Sequence, residues 1–109
     1  MRVSHHRVCL CTCPDEKTAA KLARSLVEAR LSACVNILPA ISSVYMWKGQ
    51  VEQDGEVLLL IKTNERQLAG LEAHIVKNHP YELPEVIAVP ITEGLSGYLH
   101  WLDDVMESE

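Results

Sequence analysis

Four cysteines and a histidine–proline step carry most of the chemistry this sequence could do. Cys9, Cys11 and Cys13 stand at alternate positions and Cys34 lies far downstream. Side chains alternate across an extended strand, so Cys9 and Cys11 face one way and Val8, Leu10 and Thr12 the other. Cysteines two apart on one strand are awkward disulfide partners, because their Cα atoms lie near the upper limit of the allowed separation. The spacing also fails the usual zinc-finger pattern, which needs a second ligand pair downstream. No secretory signal is visible, so a reducing cytoplasm and free thiols are expected. Thiolate and imidazole donors suit Cu(I), Cu(II) or Zn(II). His79 precedes Pro80 at a predicted helix end. Against a metal reading stand two bland ones. Buried cysteine often behaves as a small hydrophobe, and a histidine closing a helix complements its dipole.

Other candidates are weaker. His5 and His6 with Cys9 could form an N-terminal metal site, although terminal histidines are usually solvated. His74 and His100 fall on predicted helices without a partner to name. Glu82 and Glu85 near Pro84 could be paired carboxylates but read as solvated loop acids. Cys11 and His79 could be nucleophile and base, yet no third orienting group or oxyanion donor follows. There is no G-x-S-x-G elbow, phosphate-binding loop or dinucleotide turn, so no enzyme is expected.

Composition narrows the class. The 109 residues are 48% hydrophobic but only 5% aromatic, with no Phe. Ten basic against fifteen acidic residues give a net charge of -5. One compact domain over residues 1–109 is expected. A net negative chain without a basic run is a poor nucleic-acid binder. The longest unbroken apolar run is Val57 to Ile61, too short for a membrane helix.

The elements that must position these residues follow from periodicity. Arg7–Thr12 reads as a strand stopped by Pro14. Helix one starts at Asp15 to Thr18 and ends at Ala29 or Arg30, with Ala19, Leu22, Ala23, Leu26 and Val27 as its apolar stripe. Ala33–Ile37 and Ile41–Trp47 form a second strand that Pro39 marks as an edge or a bulge. Lys48-Gly49-Gln50 is a turn, and Asp54-Gly55 a possible second one. Glu56–Lys62 suits a central strand. Helix two starts at Asn64, with Gln67 completing a capping box, and stops before Pro80. Val86–Ile91 is the fourth strand, edge-like at Pro90. A last helix carries Leu99, Leu102 and Val105 or Met106. Glu107-Ser108-Glu109 reads as a frayed tail.

This is a β-α-β-β-α-β order with a C-terminal helix, and two right-handed crossovers make it the α+β, ferredoxin-like sandwich. The expected antiparallel sheet order is 4-1-3-2, which places the two proline-free strands in the centre. The topology then brings the end of strand one (Cys11 to Cys13), the start of helix one, the Tyr45–Trp47 stretch and the Asn78–Glu85 segment to one end of the molecule. Tyr45 and Trp47 share a face of an edge strand that has little core of its own to enter. Open edges pair with other chains, so an intermolecular strand pairing covering these rings is expected.

Several segments together are identified by their resemblance to the CutA family of divalent-cation tolerance proteins. They are Cys11-Thr12-Cys13-Pro14-Asp15-Glu16, Leu31 to Ile37, Ser43-Val44-Tyr45-Met46-Trp47-Lys48-Gly49, Val57 to Thr63, His79-Pro80-Tyr81-Glu82-Leu83-Pro84-Glu85 and Tyr98 to Leu102. The resemblance covers Val8 to Leu102 in the family's order and spacing. It implies a non-enzymatic homotrimer, similar in architecture to PII-type signal proteins, that serves tolerance of copper or another divalent ion. The long second and third strands, with Tyr45 and Trp47, would pair with neighbouring subunits. It also implies a metal site whose ligands fall on Cys11, Asn78 and His79. Asn78 departs from the family's histidine, and an amide is a poor copper ligand, so weak binding through Cys11 and His79 is expected. Cys9 or Cys13 could supply a compensating thiolate. The alternative is a trimeric regulatory or scaffolding module whose inter-subunit clefts, lined by Trp47, Lys62, Glu85 and Tyr98 or Trp101, bind a small molecule or protein.

Overall fold

A computed structural model describes residues 5–107. Of the tail expected to fray, Glu107 instead closes the last helix and pairs with Arg66 at 2.6 Å, and Ser108 and Glu109 lie outside the described residues. The elements are β1 (His6–Cys13), α1 (Glu16–Glu28), β2 (Cys34–Trp47), β3 (Gln50–Asn64), α2 (Leu68–Asn78), β4 (Ile87–Pro90) and α3 (Ser96–Glu107). The sheet is antiparallel with order β2-β3-β1-β4, the expected 4-1-3-2 arrangement read from the other edge. Pro39 and Pro90 both lie on edge strands, where a missing ladder donor costs least. Among the described residues no helix is long and apolar enough to cross a membrane.

Local chemistry explains the helix ends. The Asp15 carboxylate accepts the Thr18 N–H at 2.7 Å and caps α1, satisfying one of the donors a helix N-terminus leaves open. At the other end Leu31 N–H reaches Leu26 O and Arg30 N–H reaches Val27 O, both at 3.0 Å. Arg30 takes the left-handed conformation (φ 59°) that this closure requires. Helix α2 starts at Leu68 rather than at Asn64. Asn64 Oδ1 instead accepts the N–H groups of Arg66 and Gln67 at 3.1 and 3.2 Å, capping a turn ahead of the helix. The side chain of Gln67 makes no capping bond.

Asp54-Gly55 is not a turn. Strand β3 runs straight through it, with Gly55 opposite Ser42 and Asp54 opposite Ser43. The reversal lies at Lys48-Gly49, whose positive φ values of 50° and 80° match the twist of a two-residue hairpin. The register slips between Leu38, opposite Leu58, and Ile41, opposite Glu56. This bulge sets two residues, Pro39 and Ala40, against Val57, and Ala40 takes a φ of 60°. One extra residue reverses the parity of the strand. Ile41, Ser43, Tyr45 and Trp47 therefore continue the face that carries Asn36 and Leu38.

Helices α1 and α2 cover one sheet face. Cys9, Cys11, Cys13, Leu59 and Ile61 pack there against Leu22, Leu26, Leu71 and Ile75. Helix α3 closes the end where β1 begins, with Leu102 and Met106 against Ala33. The other sheet face carries Leu10, Leu58 and Leu60, all half-buried, with Ile87 and Val89 exposed.

Candidate metal centre

The crossover that joins β1 to α1 leaves Cys11, Thr12 and Cys13 at one end of the central strand. The proline that stops α2 turns the chain at the same end, directing His79 inward. Cys11, Cys13 and His79 are all buried, and their donor atoms lie within 4.8 Å of one another. Cys11 and His79 thus meet as side chains, and parity adds Cys13, since positions 9, 11 and 13 share a face. Cys9 on that face is enclosed in the apolar core, where burial and the Glu72 carboxylate push its thiol up to about 11.

The two neighbouring thiols shift one another in opposite directions. A hydrogen bond between them holds the Cys11 thiol far above the ordinary range, with burial adding to it. The same bond lowers Cys13 against the opposing effect of burial. Cys11 is the donor and Cys13 the group best placed to carry thiolate character. The imidazole of His79 is fixed by two backbone partners. Its Nε2 lies 2.8 Å from Thr12 O, and its Nδ1 accepts the Tyr81 N–H at 3.1 Å. A carbonyl cannot donate and an amide N–H cannot accept, so the ring is the neutral Nε2–H tautomer. Metal capture at His79 exchanges one of these hydrogen bonds for a metal–nitrogen bond. Two thiol sulfurs and an imidazole in a buried pocket fit a soft or borderline cation such as copper, and the exchange lowers the net gain.

Asn78 takes no part. It is exposed at the end of α2, and its Nδ2 donates to His74 O at 2.8 Å. His5 and His6 do not meet Cys9; both turn to Asp103 on α3, because Cys9 points into the helix-covered core. His74 is partnered by Ser25 at 2.9 Å.

On the opposite side of the strand end, a cavity of about 630 Å³ opens between the β2–β3 hairpin and the 81–85 loop, lined by Thr12, Tyr45, Trp47, Glu56, Tyr81 and Glu85 among others. Tyr81 donates to the buried Glu56 carboxylate at 2.6 Å, and Tyr45 donates to Asp54. Burial first and the Glu56 bond second raise the Tyr81 phenol above its ordinary range. Sequence reasoning missed the Tyr81–Glu56 pair, because nothing in the sequence links the start of the central strand to the loop after Pro80. The remaining members of the expected cleft lie elsewhere in the same chain. Lys62 points to Asn36 and Cys34, and Tyr98 packs beside Cys34 with Trp101. One chain alone therefore does not assemble Trp47, Lys62, Glu85 and Tyr98 into a single cleft.

Residues 7–105 match the family model described as CutA1 divalent ion tolerance protein. The chain is 50% identical over 97 residues to Protein CutA of Mus musculus, covering 89% of this chain and 55% of that protein. It thus spans little more than half the length of that mammalian relative. It is 47% identical over 95 residues to the Divalent-cation tolerance protein CutA of Thermus thermophilus, covering 87% of this chain and 92% of that one. In structure it resembles CutA from Xylella fastidiosa with a TM-score of 0.93 at 40% identity, covering 95% of this chain and all of that one.

Proposed function

The chain belongs to the CutA1 divalent ion tolerance protein family, and from that premise we propose that it acts in tolerance of copper or another divalent ion as a non-catalytic homotrimer that binds the metal weakly. The observation that carries the metal reading is the convergence of three buried donors, Cys11, Cys13 and His79, within 4.8 Å. Cys11 and Cys13 would hold the ion through sulfur, and His79 would add nitrogen at the cost of one backbone hydrogen bond. The bound ion would supply the positive charge that favours thiolate at both sulfurs of a buried pair. Four free thiols accord with work in a reducing compartment, and the cytoplasm is our assignment.

The test is a competition titration of the untagged, reduced chain with Cu(I) against a chromogenic chelator. We expect Cys11→Ser, Cys13→Ser and His79→Ala each to weaken binding, the two cysteine variants by about tenfold or more. Equal affinity in all three variants would overturn the assignment.

The second reading, a trimeric regulatory or scaffolding module, draws support from the 630 Å³ cavity beside Trp47 and Glu85. Lys62 and Tyr98 would then come from a neighbouring subunit. Native mass spectrometry of the metal-free trimer tests it: a retained small molecule supports this reading, and none retained counts against it.

A further inference from the structure

At the opposite end of β1 from the thiols, two consecutive histidines and an aspartate converge on one point. His6 Nε2 lies 3.0 Å and His5 Nε2 3.1 Å from the same atom, Asp103 Oδ2. Their side chains are 39% (His5), 8% (His6) and 21% (Asp103) exposed. Neighbouring residues within a strand point to opposite faces. These two converge because His5 stands just before the first strand residue, so the rings lie with centroids 4.0 Å apart. From these contacts we propose that His5, His6 and Asp103 form a second metal site, made only of nitrogen and oxygen donors, for a divalent first-row transition ion such as Zn(II).

Each ligand is fixed by a different element. His5 O accepts the Glu65 N–H at 2.7 Å, and His6 O accepts the Ile91 N–H at 3.0 Å, so both backbones are anchored to neighbouring strand ends. Asp103 lies one residue after Leu102, which is fully buried under α3. Its Oδ1 accepts a hydrogen bond from Asn64 Nδ2 at 3.3 Å. Asn64 cannot flip its amide without losing the two backbone N–H groups that its Oδ1 already accepts. The outer partner that orients the carboxylate is therefore itself locked, the arrangement that tunes metal ligands elsewhere.

The chemistry fits a borderline cation. Two imidazoles and a carboxylate are the donors that zinc and its neighbours take when positions are left open to water. Both Nε2 atoms now donate protons to one carboxylate oxygen. A divalent ion bound through both Nε2 lone pairs would require each neutral imidazole to carry its one proton on Nδ1 instead, and it would place its charge against a cluster whose only fixed charge is the carboxylate. No thiol is among the donors, which sets this site apart from the one at Cys11 and Cys13.

Zinc titration of the untagged full chain by calorimetry, after chelator dialysis, tests the site in a Cys11→Ser, Cys13→Ser background. We expect one zinc per chain to be retained there. Cobalt in the same background should show ligand-field bands in the visible without sulfur-to-cobalt charge transfer. His5→Gln and Asp103→Asn should each weaken zinc binding at least about tenfold. Because Asp103→Asn also touches the seat of α3, the half-exposed His5→Gln is the decisive variant, with an unchanged circular dichroism melt in the absence of metal. Loss of all zinc in the Cys11→Ser, Cys13→Ser background would overturn the site. So would parental zinc affinity in His5→Gln, which would leave the three side chains as a hydrogen-bonded anchor for α3.

Discussion

The phenol of Tyr81 donates to the buried Glu56 carboxylate at 2.6 Å, tying the 81–85 loop to the start of the central strand's core segment. A hydrogen bond to a charged group contributes about 1.5–3 kcal/mol, and removing one partner leaves the other desolvated. Tyr81→Phe should therefore lower stability by about 2 kcal/mol, measured by urea denaturation at neutral pH. The pH dependence has a definite sign. The folded phenol is raised above the ordinary value of 10.0, so the unfolded chain releases this proton first. Its contribution is complete below pH 10 and is lost as pH rises beyond it. Melting curves taken above pH 10 should fall more steeply for the parent than for Tyr81→Phe, and parallel curves would refute the assignment. At this scale the sequence was readable only in part. Topology alone brought Cys11 and His79 to one end; Cys13 stood only as an alternative to Cys9, because the expected strand stopped at Thr12, one residue short of it. The tautomer of His79 was not readable, because it depends on Thr12 O and Tyr81 N–H, which only the three-dimensional path of the loop supplies. The meeting of His5 and His6 with Asp103 was hidden for a similar reason, since it depends on where α3 comes to rest.

Among the elements, the bulge at Pro39-Ala40 decides which residues can face the cavity. Proline announced an irregularity in β2, but not its size, and the size sets the parity of everything after it. Asp54-Gly55 misled because the dipeptide is a common turn former, yet unbroken pairing with Ser42 and Ser43 carries β3 past it. Positive φ at Lys48-Gly49, not dipeptide preference, marks the true reversal. Ala40 holds a left-handed backbone with a Cβ attached, a conformation costing an L-residue about 1–2 kcal/mol. Glycine would relieve this while losing about 0.4–1 kcal/mol to the unfolded chain's greater freedom. Ala40→Gly should thus be neutral to stabilising by about 1 kcal/mol, whereas Gly49→Ala, at φ 80°, should destabilise by about 1 kcal/mol. Chemical denaturation of the two variants side by side checks the signs. At the first helix, Asp15→Ala should lower the denaturation midpoint by removing the cap on Thr18.

The whole molecule exposes more than its mass warrants. A compact 12.2 kDa chain should present about 6,100 Å², and this one presents 7114 Å². Its radius of gyration is 14.6 Å, against about 13 Å for a compact domain of this length. The excess has a location. Beyond the bulge the β2–β3 hairpin runs on as an arm, and Val44, Met46 and Val51 along it are each about two-thirds exposed. The helix-free sheet face adds Ile87 and Val89. A surplus of roughly 1,000 Å² is comparable with the ~800 Å² that each partner buries in a standard interface. Arm and sheet face are different surfaces, so laying one on the other gives a head-to-tail contact that must close into a ring to stay soluble. A ring of three is the closure we propose. Sedimentation equilibrium should return three times the 12.2 kDa chain mass, independent of loading across the micromolar range. Met46→Asp with Val51→Asp removes apolar surface from the arm without touching the monomer's own core. That variant should sediment as a smaller species with an unchanged far-ultraviolet spectrum. A parent chain sedimenting at its own monomer mass would refute the ring and leave the extended arm without a physical reason.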